Sequence, residues 1–257
     1  MILCLDIGNS HIFGGVFAGD QLKLTFRKAS KSGASSDEFG LFFRGVLREN
    51  GFDPDLISGV AICSVVPEML YTITASCSKY FGIEPFVLRA GTKTGLKILY
   101  RNPLEVGSDR IANAIAAAQM HPDRNLVIID MGTATTVCAV SRERAYMGGV
   151  ILPGIRMSME ALERGASKLG SVEIVQTTAS IGRTTAESIQ TGLFSGHLGA
   201  LGEIKANLVA EHFSDSAPVV LATGGFARLF EESGLFDQFV PDLVLRGLLT
   251  AYLINQE

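Results

Sequence analysis

Two short segments carry the residue types of a phosphate-binding loop. Asp6-Ile7-Gly8-Asn9-Ser10 follows the apolar run 2–6, and Asp130-Met131-Gly132-Thr133-Ala134-Thr135-Thr136 follows the apolar run 125–130. Each reads as strand, Asp, any residue, Gly, then Ser, Thr or Asn, then a second strand. Glycine permits a tight turn and lets backbone N–H groups approach an anion closely. Hydroxyl and amide side chains add hydrogen-bonding groups for phosphate oxygens. The aspartates cannot welcome phosphate themselves, so their natural partner is a cation. Mg²⁺, which binds through carboxylates, waters and substrate phosphates, fits that role. A single Asp-x-Gly is as readily a plain turn after a strand; two copies in matching contexts favour the phosphate reading. The chain has no GxxxxGK[ST], and no GxGxxG opens a helix.

A third segment, Gly107-Ser108-Asp109-Arg110, stands at an expected helix start. Transfer of a phosphoryl group to a hydroxyl needs in-line positioning, neutralisation of charge and a group that takes the hydroxyl proton. Asp109 is the best candidate base, because backbone donors and the helix dipole hold a carboxylate ionised at a helix start. Arg110 offers a flat fork of donors suited to a carboxylate. A helix cap with a surface ion pair would read the same way.

The elements that must position these groups follow from the hydrophobic pattern. Strands are expected over 2–6, 11–18 and 21–28, the last two joined by a hairpin turn at Gly19-Asp20. A helix over 36–50 has Ser36 as its cap and Gly51 as its close, a strand covers 58–63, and a helix over 67–81 opens on Pro67. The second half repeats the pattern with strands over 125–130, 134–141, 144–151 and 218–223, the last ending in Gly224-Gly225. Helices are expected over 154–165, 183–212 and 242–254, and the small, polar stretch 165–180 reads as a long surface loop or lid. Alternating strands and helices indicate an α/β architecture.

Composition removes other classes. The chain has 257 residues, 22 Lys+Arg against 26 Asp+Glu, a net charge of −4 and 47% hydrophobic residues, so it is neither disordered nor a general nucleic-acid binder. No apolar run approaches a membrane span, and the first residues lack the basic start of a signal peptide. Cys4, Cys63, Cys77 and Cys138 form no CxxC pair and three of them lie in apolar runs, which points to buried reduced thiols and a cytoplasmic location. The four histidines show no metal-ligand spacing.

The paired loops resemble those of the acetate and sugar kinase, Hsp70 and actin superfamily, which implies two duplicated ribonuclease H-like (actin-like ATPase) domains, 1–118 and 119–257, with a nucleotide cleft between them. Further segments narrow the resemblance: YRNPLEVGSDRIAN at 100–113, GGVILPG at 148–154, IGRTTAESIQTG at 181–192, ATGGF at 222–226 and PDLVLRGLLTAY at 241–252. Together these look like type III pantothenate kinases, over nearly the whole chain. Ser10 stands where the family usually has Thr, Ser108 where Ala is common, and Arg183-Thr184 where Lys-Asn is common.

The resemblance implies ATP-dependent phosphorylation of pantothenate, the first step of coenzyme A synthesis, with Asp109 as general base and Arg110 positioning the substrate carboxylate. It places Tyr100, Gly107, Ser108 and Thr185 in the pantothenate site. Taken alone, Tyr100 reads equally as a packed strand-end residue and Thr184-Thr185 as a helix cap. Asp6, Gly8, Asn9, Ser10, Gly132, Thr133, Thr135, Gly224 and Gly225 would meet the nucleotide, although a plain turn also accounts for Gly224-Gly225. The family needs a monovalent cation, K⁺ or NH₄⁺, expected at Asp130, with Mg²⁺ expected at Asp6; Mg²⁺ held through water is the other option for Asp130. Family members are homodimers, and the apolar residues along 183–212 suit either a dimer helix or a core helix. Two other readings stay open: a Bvg accessory factor-like regulator, and a superfamily kinase for another small hydroxy acid.

Overall fold

The computed structural model describes residues 1–31, 33–166 and 169–256. In chain order its first elements are β1 (Ile2–Ile7), β2 (His11–Ala18), β3 (Gln21–Ala29), α1 (Ser36–Glu49), β4 (Gly59–Ser64), α2 (Pro67–Phe81), β5 (Phe86–Val87) and β6 (Lys97–Ile98). There follow α3 (Ser108–Met120), β7 (Leu126–Met131), β8 (Ala134–Val140), β9 (Ala145–Pro153), α4 (Ile155–Gly165), α5 (Thr185–His212), β10 (Val219–Thr223), β11 (Gln238–Phe239) and α6 (Leu243–Ile254).

Two sheets form, in the orders β3-β2-β1-β4-β5 and β11-β10-β7-β8-β9-β6. Apart from β6 on its outer edge, the second sheet repeats the first, with β7, β8, β9, β10 and β11 in the places of β1, β2, β3, β4 and β5. In each, an antiparallel three-strand meander is extended by strands parallel to the first. Even the turn bonds correspond: Gly8 N–H donates to His11 O and Gly132 N–H to Ala134 O, both at 3.1 Å. The duplicated α/β architecture expected from the two loops is therefore present.

The chain divides into two units, Met1–Gly95 with Arg101–Ala116 and Leu243–Glu257, and Leu96–Tyr100 with Ala117–Asp242. This division differs in two places from a single cut after residue 118. Helix α6 joins the first unit because it packs on β1, β2 and β4. Residues 96–100 join the second because Lys97 and Ile98 pair in parallel with Ala145 and Tyr146 of β9.

In the first unit Leu3, Leu5 and Ile7 of β1 face Phe39, Phe43 and Leu47 of α1 and Ile73 of α2. Each buried side chain of this size contributes about 2 kcal/mol. Because β1 is buried on both faces it is apolar almost throughout, and Asp6 is its polar interruption. Close backbone approach seats α6's neighbourhood: a Cβ on Gly247 would run into the backbone of Ala112. In the second unit α4 and α5 cover one face of the sheet, with Ile155, Met159, Leu193, Phe194 and Leu201 against Val127, Ile129 and Val137.

The N-cap of α1 is Ser35, one residue before the expected Ser36, because only Ser35 completes a reciprocal capping box with Glu38. Beyond Gly165 the described part of 165–180 has no regular element, yet Leu169, Val172 and Ile174 pack on the second core. Ser167 and Lys168 of that expected loop lie outside the described residues. Among the described residues no helix is long and apolar enough to cross a membrane.

Candidate active site

In the first unit, strand register sets Asp6 between Phe13 of β2 and Cys63 of β4. Residues paired across a sheet share a face, and the Cys63 thiol donates to Asp6 Oδ1 at 3.2 Å. One residue further, Ile7 is in register with Ser64, and Val65 N–H donates to Ile7 O at 3.1 Å. Ser108 then ties the start of α3 to the end of β4. Its hydroxyl accepts from Ser64 N–H and donates to Ser64 O, each at 3.1 Å. The sequence reading assigned Ser108 to substrate; the fold engages its hydroxyl with backbone.

The next residue is the candidate base. Asp109 Oδ1 accepts the Arg110 N–H at 2.8 Å. Burial pushes the Asp109 carboxyl above the usual aspartate value, opposed by that N–H and by the Arg110 guanidinium. Desolvation thus outweighs the helix-start stabilisation on which the sequence argument rested. A Cβ on Gly107 would collide with Asp109 Oδ1, so the glycine is what leaves the carboxylate its room. Arg110 is itself buried. Burial, together with the charges of Asp6 and Asp109, holds the Cys63 thiol well above its usual range. Asp6, Cys63 and Asp109 are therefore one electrostatic group.

Beside this group opens a hollow of about 820 Å³ whose walls include Val65, Leu88, Arg89, Glu105, Gly107 and Ser108. Its walls mix apolar side chains with polar and charged ones, among them Arg89 and Glu105, and its size suits a small organic molecule. At the turn between β1 and β2, Asn9 and Ser10 are exposed, while Gly8 N–H is engaged within the turn and Gly8 O accepts from the Ser30 hydroxyl at 2.6 Å.

In the second unit Asp130 lies in register with Thr223 of β10 on one side and Thr136 of β8 on the other. These three residues form a row of oxygen-bearing side chains on one sheet face. Thr136 was missed in the sequence; strand alternation along 134–140, which sends Thr135 to the opposite face, was the signal that could have found it. Thr135 is fully buried and its Oγ1 lies 3.0 Å from His197 Nε2 of α5, whereas Thr133 is exposed at the turn. The turn is held by close backbone contacts. A Cβ on Gly154, the residue before α4, would collide with Thr133 O, and one on Gly224 would stand 2.6 Å from Asp130 Oδ1 and from the Met131 backbone. Gly224 also has φ +91°, whereas Gly225 is exposed with open space around it.

Tyr100 and Thr185 both belong to the second unit. The Tyr100 ring is half-buried beside Gly148, its centroid 6.5 Å from that of Tyr146. Thr185 is exposed at the first turn of α5, and Thr184 caps that helix in a box with Glu187. Among the described residues there is no cluster of three or more His, Cys, Asp or Glu able to hold a metal ion. Any cation at Asp6 or Asp130 would thus take much of its coordination from outside the carboxylates.

The sequence matches that of known proteins along its length. A type III pantothenate kinase family model covers residues 2–207. A type III pantothenate kinase of Legionella pneumophila (strain Corby) is 55% identical over 255 residues, 99% of each chain. One of Elusimicrobium minutum is 50% identical over 256 residues, covering 100% of this chain and 99% of that one. In structure, the chain resembles a ROK hexokinase from Thermus thermophilus with a TM-score of 0.51 at 17% identity, over 98% of this chain and 99% of that one, which bears on the fold alone. With both loops, the Gly107-Ser108-Asp109-Arg110 start of α3 and full-length identity in agreement, the chain belongs to the type III pantothenate kinase family.

Proposed function

We propose that this protein transfers the γ-phosphoryl group of ATP to the hydroxyl of pantothenate, giving 4′-phosphopantothenate for coenzyme A synthesis. The observation that carries the reading is Asp109: a half-buried carboxylate whose pKa is raised by desolvation, anchored through Ser108 beside a hollow of ligand size. Asp109 accepts the hydroxyl proton as the phosphoryl group arrives, a role worth typically about 10²–10⁴-fold in rate. A carboxyl pushed upward is the stronger base. Arg110 supplies positive charge beside it and suits the substrate carboxylate. The family pattern implies that Tyr100 and Thr185 also serve the acceptor.

Asp6 is a half-buried single carboxylate near the exposed Asn9 and Ser10. That donor set fits Mg²⁺, which keeps several waters and shares nucleotide phosphates. When bound, Mg²⁺ neutralises phosphate charge. The row Thr223, Asp130 and Thr136 offers oxygen donors alone and fits a hard monovalent cation, K⁺ or NH₄⁺. Asn9, Ser10 and Thr133 are the loop side chains exposed to a nucleotide.

The working form is a homodimer in the cytoplasm. Exposed Ile151, Met157 and Leu162 supply apolar surface for pairing, and all four cysteines are buried without forming a disulfide, as in a reducing compartment. The apolar residues of α5, by contrast, pack into their own unit's core and lend no support to pairing.

The deciding test is a coupled ADP-release assay against a panel of hydroxy acids, with and without K⁺. Turnover with pantothenate that rises with K⁺ is expected. No turnover with pantothenate in either condition overturns the reading, and turnover with a different acid replaces the substrate. Sedimentation at micromolar protein checks the dimer.

A further inference from the structure

Thr135 and His197 form a polar pair inside an otherwise apolar layer. Thr135, Val137 and Ala139 point from β8 toward α5, and all three are buried. A buried hydroxyl without a partner costs about 1–3 kcal/mol. His197 meets that need at 3.0 Å. Burial lowers the His197 pKa, so the imidazole is neutral near pH 7 and Nε2 can complement a hydroxyl. Its orientation is held by packing: the ring lies 5.8 Å from Phe230, which stacks at 4.9 Å on Phe194, one turn earlier on α5.

Thr135 also has a special place in the chain. Its backbone pairs with Met131 and so closes the turn that carries Gly132 and Thr133. Gly154 and Gly224 fix the same turn through close backbone approach. The Thr135–His197 bond fixes its base from the helix side, through a side chain that is chemically replaceable.

We infer that His197 is a positioning residue for the nucleotide loop, acting through the hydroxyl of Thr135 to hold Gly132-Thr133 in the geometry that receives a nucleotide phosphate. This rests on the phosphotransfer reading above, and goes beyond it by assigning work to a helix residue that need not touch nucleotide itself. Next to His197 is a hollow of about 230 Å³ lined by Leu152, Ser158, Gly192 and Gly196 among others, so replacement side chains have room.

The test uses the full chain, with His197→Leu, His197→Gln, Thr135→Val, Thr135→Ser and the double variant His197→Leu/Thr135→Val. ADP with Mg²⁺ is titrated by calorimetry, and KM is measured separately for ATP and pantothenate. His197→Leu and Thr135→Val are each expected to weaken ADP binding and raise the KM for ATP about five- to tenfold, the scale of one hydrogen bond. The KM for pantothenate stays within about twofold in both. His197→Gln, whose amide reaches the Nε2 position, and Thr135→Ser, which keeps the hydroxyl, restore binding to within about twofold of the parent. The double variant is no worse than the worse single one, as expected when both remove the same interaction.

Unchanged ADP affinity in both His197→Leu and Thr135→Val overturns the inference. So does a His197→Gln variant as damaged as His197→Leu, or an equal rise in both KM values. Should His197→Leu fail to fold, the Thr135→Val and Thr135→Ser pair decides by itself. A parent protein that binds ADP but leaves pantothenate untouched removes the substrate assignment alone, because the ADP titration still tests His197.

Discussion

The Ser108 hydroxyl lies 3.1 Å from both the backbone nitrogen and the backbone oxygen of Ser64, and so mimics one rung of a sheet between the start of α3 and the end of β4. Asp109 is the next residue, so this rung locates the candidate base relative to Asp6 and Cys63. Ser108→Ala leaves both Ser64 groups without that partner. The expected outcome is a loss of about 1–3 kcal/mol in stability, read as a lower midpoint in urea. A several-fold fall in kcat should accompany it, with ADP affinity retained, because the nucleotide loops are untouched.

Gly107→Ala places a methyl group where Asp109 Oδ1 now lies. The carboxylate must turn away, since a displaced catalytic group forfeits its alignment. We expect kcat to fall at least about tenfold, an effect well above that on thermal stability. Wild-type turnover in a well-folded Gly107→Ala protein would show that Asp109 has no fixed role.

The pH profile follows from burial. Desolvation favours the protonated Asp109, raising its pKa, and the base works only when ionised. Activity should therefore fall on acidification at a pH above the usual aspartate range. The Arg110 charge opposes this shift, so Arg110→Met moves the acid limb higher still, besides weakening the acceptor. Asp109→Asn abolishes the limb along with most of kcat while leaving ADP binding nearly intact. The folding linkage has the matching sign: with the folded pKa raised, Asp109 favours the native state below its unfolded pKa. That contribution is lost as pH rises through the folded pKa.

Gly224 and Gly225 separate fold from ligand. Gly224→Ala meets both a left-handed backbone and contact with Asp130 and Met131, and is expected to destabilise by about 2 kcal/mol or more. Gly225→Ala meets open space within the protein. It should keep the parent's melting temperature and lose nucleotide affinity, measured by ADP titration. Unchanged affinity would remove Gly225 from the nucleotide site.

What the sequence determined by itself is local. Asp6-x-Gly8 and Asp130-x-Gly132 each follow a short apolar run and precede a second strand. Both the strands and the turn are written in residue types that act over a few positions. The same holds for the capping box of α5 at Thr184 and for the hairpin at Gly19-Asp20, whose glycine has φ +61°. Two loops in matching contexts sufficed to make the duplicated α/β fold readable.

What only the tertiary structure decided depends on partners far apart in the chain. The sheet face, and thus whether a threonine shares a row with Asp130 or is buried against α5, separates Thr136 from Thr135, because alternation needs a register to refer to. That the Ser108 hydroxyl is bonded to the backbone of Ser64, 44 residues earlier, is likewise invisible in the local sequence. The Asp109 pKa direction reversed for a related reason: the helix-start stabilisation is local and readable, whereas desolvation is set by everything packed around the carboxyl. Helix α6 crosses to the first unit because its best apolar surface lies on β1, β2 and β4, which no local pattern encodes. His197, one of two histidines in α5, acquires meaning only when α5 lies on β8 and brings it to Thr135.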